Sequence, residues 1–172
     1  WPLEFTTRPG YPLIYLQQSL LKSDPVDWMI DLCDGKDTLK VKEDTVSVGV
    51  VLAQPDFPYD NIKPKENTGY PLFDLCEEDG TKDLHYVSVK TGVMPNESGQ
   101  LKEPCLVTTG NYILVATGLG DTICDAKHQA YSCIKKKVHL INSPMYRDDI
   151  GEKVEEMLPK LQKNGFCKGM KY

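Results

Sequence analysis

No stretch of this chain is apolar for long enough to span a bilayer, and its beginning carries no signal-peptide pattern. Positive charge is not in excess. Lys and Arg number 20 against 25 Asp and Glu, a formal charge of -5, which removes the basic field that nucleic acid or an anionic membrane would need. Neither is therefore an expected partner. The three histidines, His85, His128 and His139, are isolated, and none has a cysteine or another histidine at finger spacing. Cysteine is present without pattern: Cys33, Cys76, Cys105, Cys124, Cys133 and Cys167 are scattered and form no CxxC. That usage reads as reduced thiols in a cytoplasmic protein rather than a disulfide framework. There is no G-x-S-x-G nucleophile elbow, and Gly118-Leu119-Gly120 lacks the third glycine of a dinucleotide fingerprint. Internal repeats and low-complexity segments are missing too. So is an initiator methionine: the chain opens on Trp1-Pro2-Leu3-Glu4-Phe5, which reads like the middle of a domain. The expectation is a processed chain or a piece of a longer gene.

What is there suits one globular domain or a domain plus a fragment, with 40% hydrophobic and 26% charged residues in 172. The organising stretch is 118–151. Thr122-x-x-Asp125 is a capping-box-like helix start that sets a carboxylate beside the positive helix end. Ile123, Ala126, Ala130, Ile134 and Val138 then form a one-sided stripe that needs a sheet to cover, and 105–117 supplies strand-like runs. This predicts a strand, a glycine turn at Gly118-Leu119-Gly120, and a helix packed on a sheet. Lys135, Lys136 and Lys137 fall in the last turn, where cations complement the helix dipole. His128 reads as a solvated or packing residue of the helix.

Upstream, Leu3 to Thr6 forms a short strand carrying Glu4, and Gly10 and Pro12 mark a turn and the first position of a helix. Leu13, Leu16 and Leu20 stripe that helix. Asp24-Pro25 is a second cap and N1 pair, with Val26, Met29, Ile30 and Cys33 on one face and Gly35 as the stop. A charged segment, 38–44, is a plausible boundary. Val46 to Ala53 is a β-branched run that predicts a buried strand, followed by the rigid loop Pro55-Asp56-Phe57-Pro58-Tyr59. Residues 60–81 read as loop, 84–93 as strand, and 96–103 as a polar hairpin tip with Gly99. Val154, Leu158 and Leu161 continue a helical stripe that Pro159 should kink or end, and 164–172 should fray. Asn96-Glu97-Ser98 is formally a glycosylation sequon, taken as chance without a secretory signal. Lys171 sits one residue from the end, so Gly169-Met170-Lys171 does not match the hairpin-tip lysine of biotin carriers. Arg147, Asp148 and Asp149 suggest a bidentate Arg–carboxylate turn.

The motifs L-G-D-T at 119–122, Ala130-Tyr131, and Tyr146-Arg147-Asp148-Asp149-Ile150-Gly151 resemble, in order and spacing, the closing signature of phosphoribosylamine–glycine ligase. That family typically reads ALGDT…A…AY…RKDIG. Further collinear blocks extend the resemblance over about 3–151. V-V-L-A at 50–53 matches the family's VVLASGGYP without its two glycines, and Thr108-Thr109-Gly110-Asn111-Tyr112 matches T-x-G-G-R with Asn111 and Tyr112 in place of Gly and Arg. Asn111 tolerates a left-handed φ, so the turn is expected to survive. Near the start, E-x-N-x-R-x-G-D-P-E is matched by Glu4, Arg8, Gly10 and Pro12, with Thr6 for the Asn, Pro9 for the aromatic and Tyr11 for the Asp.

The resemblance implies an α+β chain. Residues 1–37 would be a strand–helix remnant of an ATP-grasp core, 38–163 a small barrel-sandwich-like C-terminal domain with a packed helix, and 164–172 a tail. It implies ATP and Mg2+ as cofactors, with Glu4 and Thr6 as metal ligands on one strand face and Arg8 and Gly10 in nucleotide binding. It further implies a ligase joining glycine to phosphoribosylamine in purine synthesis, lacking most of the nucleotide-binding lobe and the amine-sugar-binding region, and so inactive alone. The missing ATP-grasp portion is then the expected partner. Two alternatives stay open: a divergent non-catalytic module that binds another ligand or protein, and one half of a split ligase. The second predicts an exposed apolar face on the helices of residues 12–34.

Overall fold

The computed structural model describes residues 9–55, 57–59, 67–73, 75, 82–95, 99, 101–141 and 144–171, with the backbone alone for 95 and 101–103. The elements run α1 (Leu13–Leu20), α2 (Pro25–Cys33), β1 (Val46–Ala53), β2 (Pro71–Phe73), β3 (Leu84–Tyr86) and β4 (Val89–Pro95). They continue with β5 (Leu101–Thr108), β6 (Tyr112–Gly120), α3 (Ile123–Lys137), β7 (His139–Leu140) and α4 (Glu152–Lys163). The chain is thus mixed α and β. Its strands form two antiparallel sheets, ordered β1-β6-β3 and β4-β5-β2-β7, and among the described residues neither closes into a barrel.

The first sheet carries the core. β1 pairs with β6 from Val46 opposite Gly120 to Ala53 opposite Tyr112, and β3 adds on the far side of β6. Side chains alternate across a strand. Val48, Val50 and Leu52 therefore share one face with Leu114, Ala116 and Gly118, and that face meets α3. The helix buries Ile123, Ala126, Ala130 and Ile134 there, with Val138 just beyond its end. All five residues of the sequence stripe are buried, and Thr122 caps the helix by accepting from the Asp125 N–H at 3.0 Å. The other face takes α1, where Leu16 lies over Gly49 and the Tyr15 ring stacks on His85 at 4.7 Å.

Several expectations change. Gly118, Leu119 and Gly120 are not a turn but the last residues of β6. A Cβ at Gly118 would lie 2.5 Å from the Ala130 N and closer still to the Ala126 carbonyl, and one at Gly120 would lie 2.6 Å from the Ala126 N. These glycines let the α3 backbone approach the strand, and the turn falls at Asp121. The run 84–93 is two strands in different sheets, with the change of sheet at Val87 and Ser88. Pro12 stands at the N-cap, one residue before α1, while Asp24 caps α2 as expected, accepting from the Val26 and Asp27 N–H groups. Asn111 does not take a positive φ. α4 continues through Pro159 to Lys163, and of its apolar stripe only Leu158 is fully buried, Val154 and Leu161 being exposed. The tail is anchored rather than frayed: the Gln162 amide donates to the Met170 carbonyl at 2.7 Å, and the Lys171 carbonyl accepts from the Ile123 N–H at 3.3 Å.

Candidate functional site

A cavity of about 500 Å³ opens on the α1 side of the first sheet. β1 contributes Gly49, Val50, Val51 and Ala53, and the other walls come from segments far apart in sequence: Tyr11 and Pro12, Phe57 and Pro58, Tyr112, and Met145 to Arg147 with Ile150. Most of this surface is hydrocarbon or aromatic ring.

Three local structures hold those walls. Gln54, wholly buried at the end of β1, ties the turn before Tyr112 in place. Its N–H donates to the Asn111 carbonyl at 2.8 Å, and its side-chain amide donates to the Gly110 carbonyl at 2.6 Å and to the Asn67 carbonyl. Thr108, also buried, donates to the same Asn67 carbonyl at 3.1 Å. Buried amides need such partners, and here they define the corner between β5 and β6. The second structure is a pair of backbone hydrogen bonds, Ala53 N–H to the Met145 carbonyl at 2.9 Å and the reverse at 2.7 Å, which brings the 145–150 segment alongside β1. The third is Tyr131 on α3, whose hydroxyl donates to the Arg147 carbonyl at 2.7 Å and accepts from the Ile150 N–H at 3.1 Å. The co-occurrence of Ala130-Tyr131 with Arg147-Asp148-Asp149-Ile150-Gly151 thus has a physical basis: the tyrosine shapes the loop.

The rings form a continuous series. His85 stacks on Tyr15, Tyr15 meets Tyr11 edge-on at 6.0 Å, Tyr11 meets Tyr112 at 5.3 Å, and Phe57 leans on Tyr112 at 4.8 Å. Edge and tilted geometries at these separations are the favoured ones for ring quadrupoles. Burial, with Tyr15 and Tyr112 adding smaller effects, pushes the Tyr11 hydroxyl up to about 12, so it stays a hydrogen-bond donor. Burial likewise raises the Tyr131 hydroxyl and lowers the His85 imidazole, the latter against an opposing pull from Asp83. At the rim, Arg147 donates to Asp149 through Nε at 2.8 Å and through Nη2, the bidentate pair the sequence suggested. The hydrogen bond holds the Asp149 carboxyl below its ordinary range and the guanidinium above its own. Both groups are exposed, so the pair contributes local order more than stability.

Of the sequence-derived site residues, Glu4, Thr6 and Arg8 lie outside the described residues. Gly10 precedes α1, its carbonyl accepting from the Ile14 N–H at 2.8 Å, and a Cβ there would meet nothing nearer than Leu13 at 3.9 Å. Among the described residues no three His, Cys, Asp or Glu side chains converge as metal ligands. The aromatic cavity was not read from the sequence. The available signal was the set of departures from the resemblance, since Tyr11, the Phe57-Pro58 loop and Tyr112 all mark such departures and all meet here. Among the described residues the lining offers no paired acid and base and no activated nucleophile. It can bind, and it can orient through the phenols of Tyr11, Tyr112 and Tyr146.

No protein-family model matches the chain. Curated relatives do. Over 151 residues, 87% of this chain and 31% of the relative, it is 31% identical to the phosphoribosylamine–glycine ligase of Pasteurella multocida (strain Pm70). The enzyme of the same name from Neisseria meningitidis serogroup A is 31% identical over 88% of the chain and 32% of its own length. That of Haemophilus influenzae is 29% identical over 90% of the chain and 33% of its own length. The chain spans about a third of the length of the curated relatives it matches, and over that third it resembles phosphoribosylamine–glycine ligase.

Proposed function

We propose that this chain is the C-terminal part of a phosphoribosylamine–glycine ligase, an ATP-dependent carbon–nitrogen ligase of purine synthesis working in the cytoplasm. The observation that carries the reading is the similarity over seven-eighths of the chain to enzymes of that name. In such a ligase the glycine carboxylate is activated by phosphoryl transfer from ATP and the sugar amine displaces the phosphate. Preorganised cations supply most of the catalysis. Glu4 and Thr6 are proposed to hold magnesium, whose charge would offset that of the nucleotide phosphates, with Arg8 and Gly10 beside them. The remaining two thirds of the enzyme would bring the nucleotide lobe and the sugar-binding region, leaving this chain inactive by itself.

α2 favours the need for a covering partner. Val26, Met29 and Ile30 are 62%, 58% and 59% exposed, a cluster too apolar to be an ordinary solvated helix face. That supports docking of the absent portion, in the same chain or as the other half of a split ligase. The test is glycine- and phosphoribosylamine-dependent ADP release from the complete gene product, with Glu4→Gln as the site variant. We expect turnover in the complete protein, none in this chain alone, and a fall of at least about 100-fold in kcat for Glu4→Gln. A folded complete protein that hydrolyses or transfers nothing from ATP in the presence of both substrates overturns the reading.

A further inference from the structure

We infer that the cavity between the turn before α1, β1 and the 145–150 loop binds an uncharged planar aromatic compound of one or two fused rings. This inference stands on the cavity alone and does not rest on the ligase reading.

Size is the first consideration. About 500 Å³ is within the range of small-molecule sites and holds a bicyclic ring system with room to tilt. Wall chemistry is the second. Tyr11, Phe57, Tyr112 and Tyr146 come from four separate segments, and the tilts between Tyr11 and Tyr112 (64°) and between Phe57 and Tyr112 (52°) stop these rings from stacking face to face and filling the space themselves. Rings at such angles leave faces and edges free to meet an inserted ring in offset or edge-on contact. The floor is the β1 face opposite α3, with the Val51 side chain between Gly49 and Ala53.

Charge is the third. A phosphate or carboxylate needs cationic donors or a cluster of free N–H groups. Arg147 is the one cation among the described lining residues, and the Nε–Nη2 edge of its guanidinium is paired with the Asp149 carboxylate two residues on. An anion entering here would meet a cation whose charge that carboxylate already offsets. The Tyr11 hydroxyl stays protonated and neutral through the physiological range. A neutral ring with one hydrogen-bonding substituent therefore matches the lining, and a sugar phosphate does not.

The test uses this chain as it is, with N-phenyl-1-naphthylamine as a neutral fluorescent ring probe. We expect saturable fluorescence enhancement with Kd on the order of 100 μM, as a ligand of its size with average efficiency would give. Tyr112→Ala should weaken it at least about tenfold, and Val51→Trp, which fills the floor without removing a ring, should do the same if Tyr112→Ala fails to fold. Ile30→Ser on the exposed face of α2 should leave binding unchanged. Ribose 5-phosphate at millimolar concentration should not compete. Absence of saturable binding, loss on Ile30→Ser but not on the cavity variants, or competition by ribose 5-phosphate each overturns the inference. Since no nucleotide or glycine is present, failure here leaves the ADP-release experiment untouched, and the reverse holds.

Discussion

Replacing Gly118 with alanine separates two physical roles for glycine that predict opposite signs. If Gly118 were only a flexible strand residue, alanine would reduce the entropy lost on folding and stabilise the chain by about 0.5–1 kcal/mol. The geometry says otherwise. The new methyl would lie 2.5 Å from the Ala130 N and 3.1 Å from the Ala130 Cβ, where ordinary contact begins at 3.4 Å, with the Ala126 carbonyl nearer still. The nearest obstacles are backbone atoms of α3, so no rotamer change relieves them. The helix must retreat by roughly 1 Å, which forfeits a quarter to a half of each dispersion contact it makes with the sheet. Five side chains of α3 are buried, and a loss of about 0.5 kcal/mol at each, added to about 1–2 kcal/mol of local overpacking, comes to about 4 kcal/mol. For a chain of this length that is a fall in Tm of roughly 8–16 °C. Calorimetry or thermal circular dichroism measures it, with Gly10→Ala as a control whose nearest neighbour would be 3.9 Å away and whose Tm should move little. The double variant Gly118→Ala/Ala130→Gly removes the methyl–methyl contact but not the two backbone ones, so it should stay nearly as unstable. A Tm for Gly118→Ala equal to or above that of the parent would refute the close-approach account.

Two further outcomes follow from the same structure. Tyr131→Phe removes the hydroxyl that joins the Arg147 carbonyl to the Ile150 N–H, and should cost about 1–2 kcal/mol and speed hydrogen exchange at the Ile150 amide; unchanged exchange there would show that the loop holds itself. Burial keeps the His85 imidazole below its ordinary value of 6.5, so as pH falls through 6.5 the unfolded chain takes up a proton that the folded chain refuses. Stability should be full above that value, decline as pH drops, and level off below the folded-state value; a urea midpoint that does not move between about pH 8 and about pH 5, or that moves equally in His85→Phe, would contradict this.

The readings that hold are those set by local periodicity and capping. Asp24-Pro25, the β-branched run of β1 and the Thr122 cap with its apolar stripe each determine their element within a few residues, and tertiary contacts agree with them. What failed depended on distant partners. Glycine is the commonest turn signal, yet Gly118 and Gly120 are small because α3 crosses them, a fact fixed by Ala126 and Ala130 and invisible locally. Val87 and Ser88 carry no breaker, so nothing in the run 84–93 announces that the chain leaves one sheet for the other. Tyr131 looks like any half-buried tyrosine until its partners, 16 and 19 residues on, fold back to it. The cavity was less legible again, because its aromatic residues come from positions 11, 57, 112 and 146 and no spacing rule links them.

The register of β1 also bears on how the chain is made. Val46–Ala53 is an uncharged octapeptide, half of it valine, of the kind that associates with copies of itself. Its partner strand emerges roughly 60–75 residues later, an interval on the order of 10 s at ordinary translation rates. Until Tyr112–Gly120 arrives that segment lacks its sheet partner, and afterwards, among the described residues, β1 remains outermost in its sheet, with only the Ala53–Met145 bridge beside it. A ribosome carrying this message therefore displays an adhesive strand well before it displays the strand that shields it.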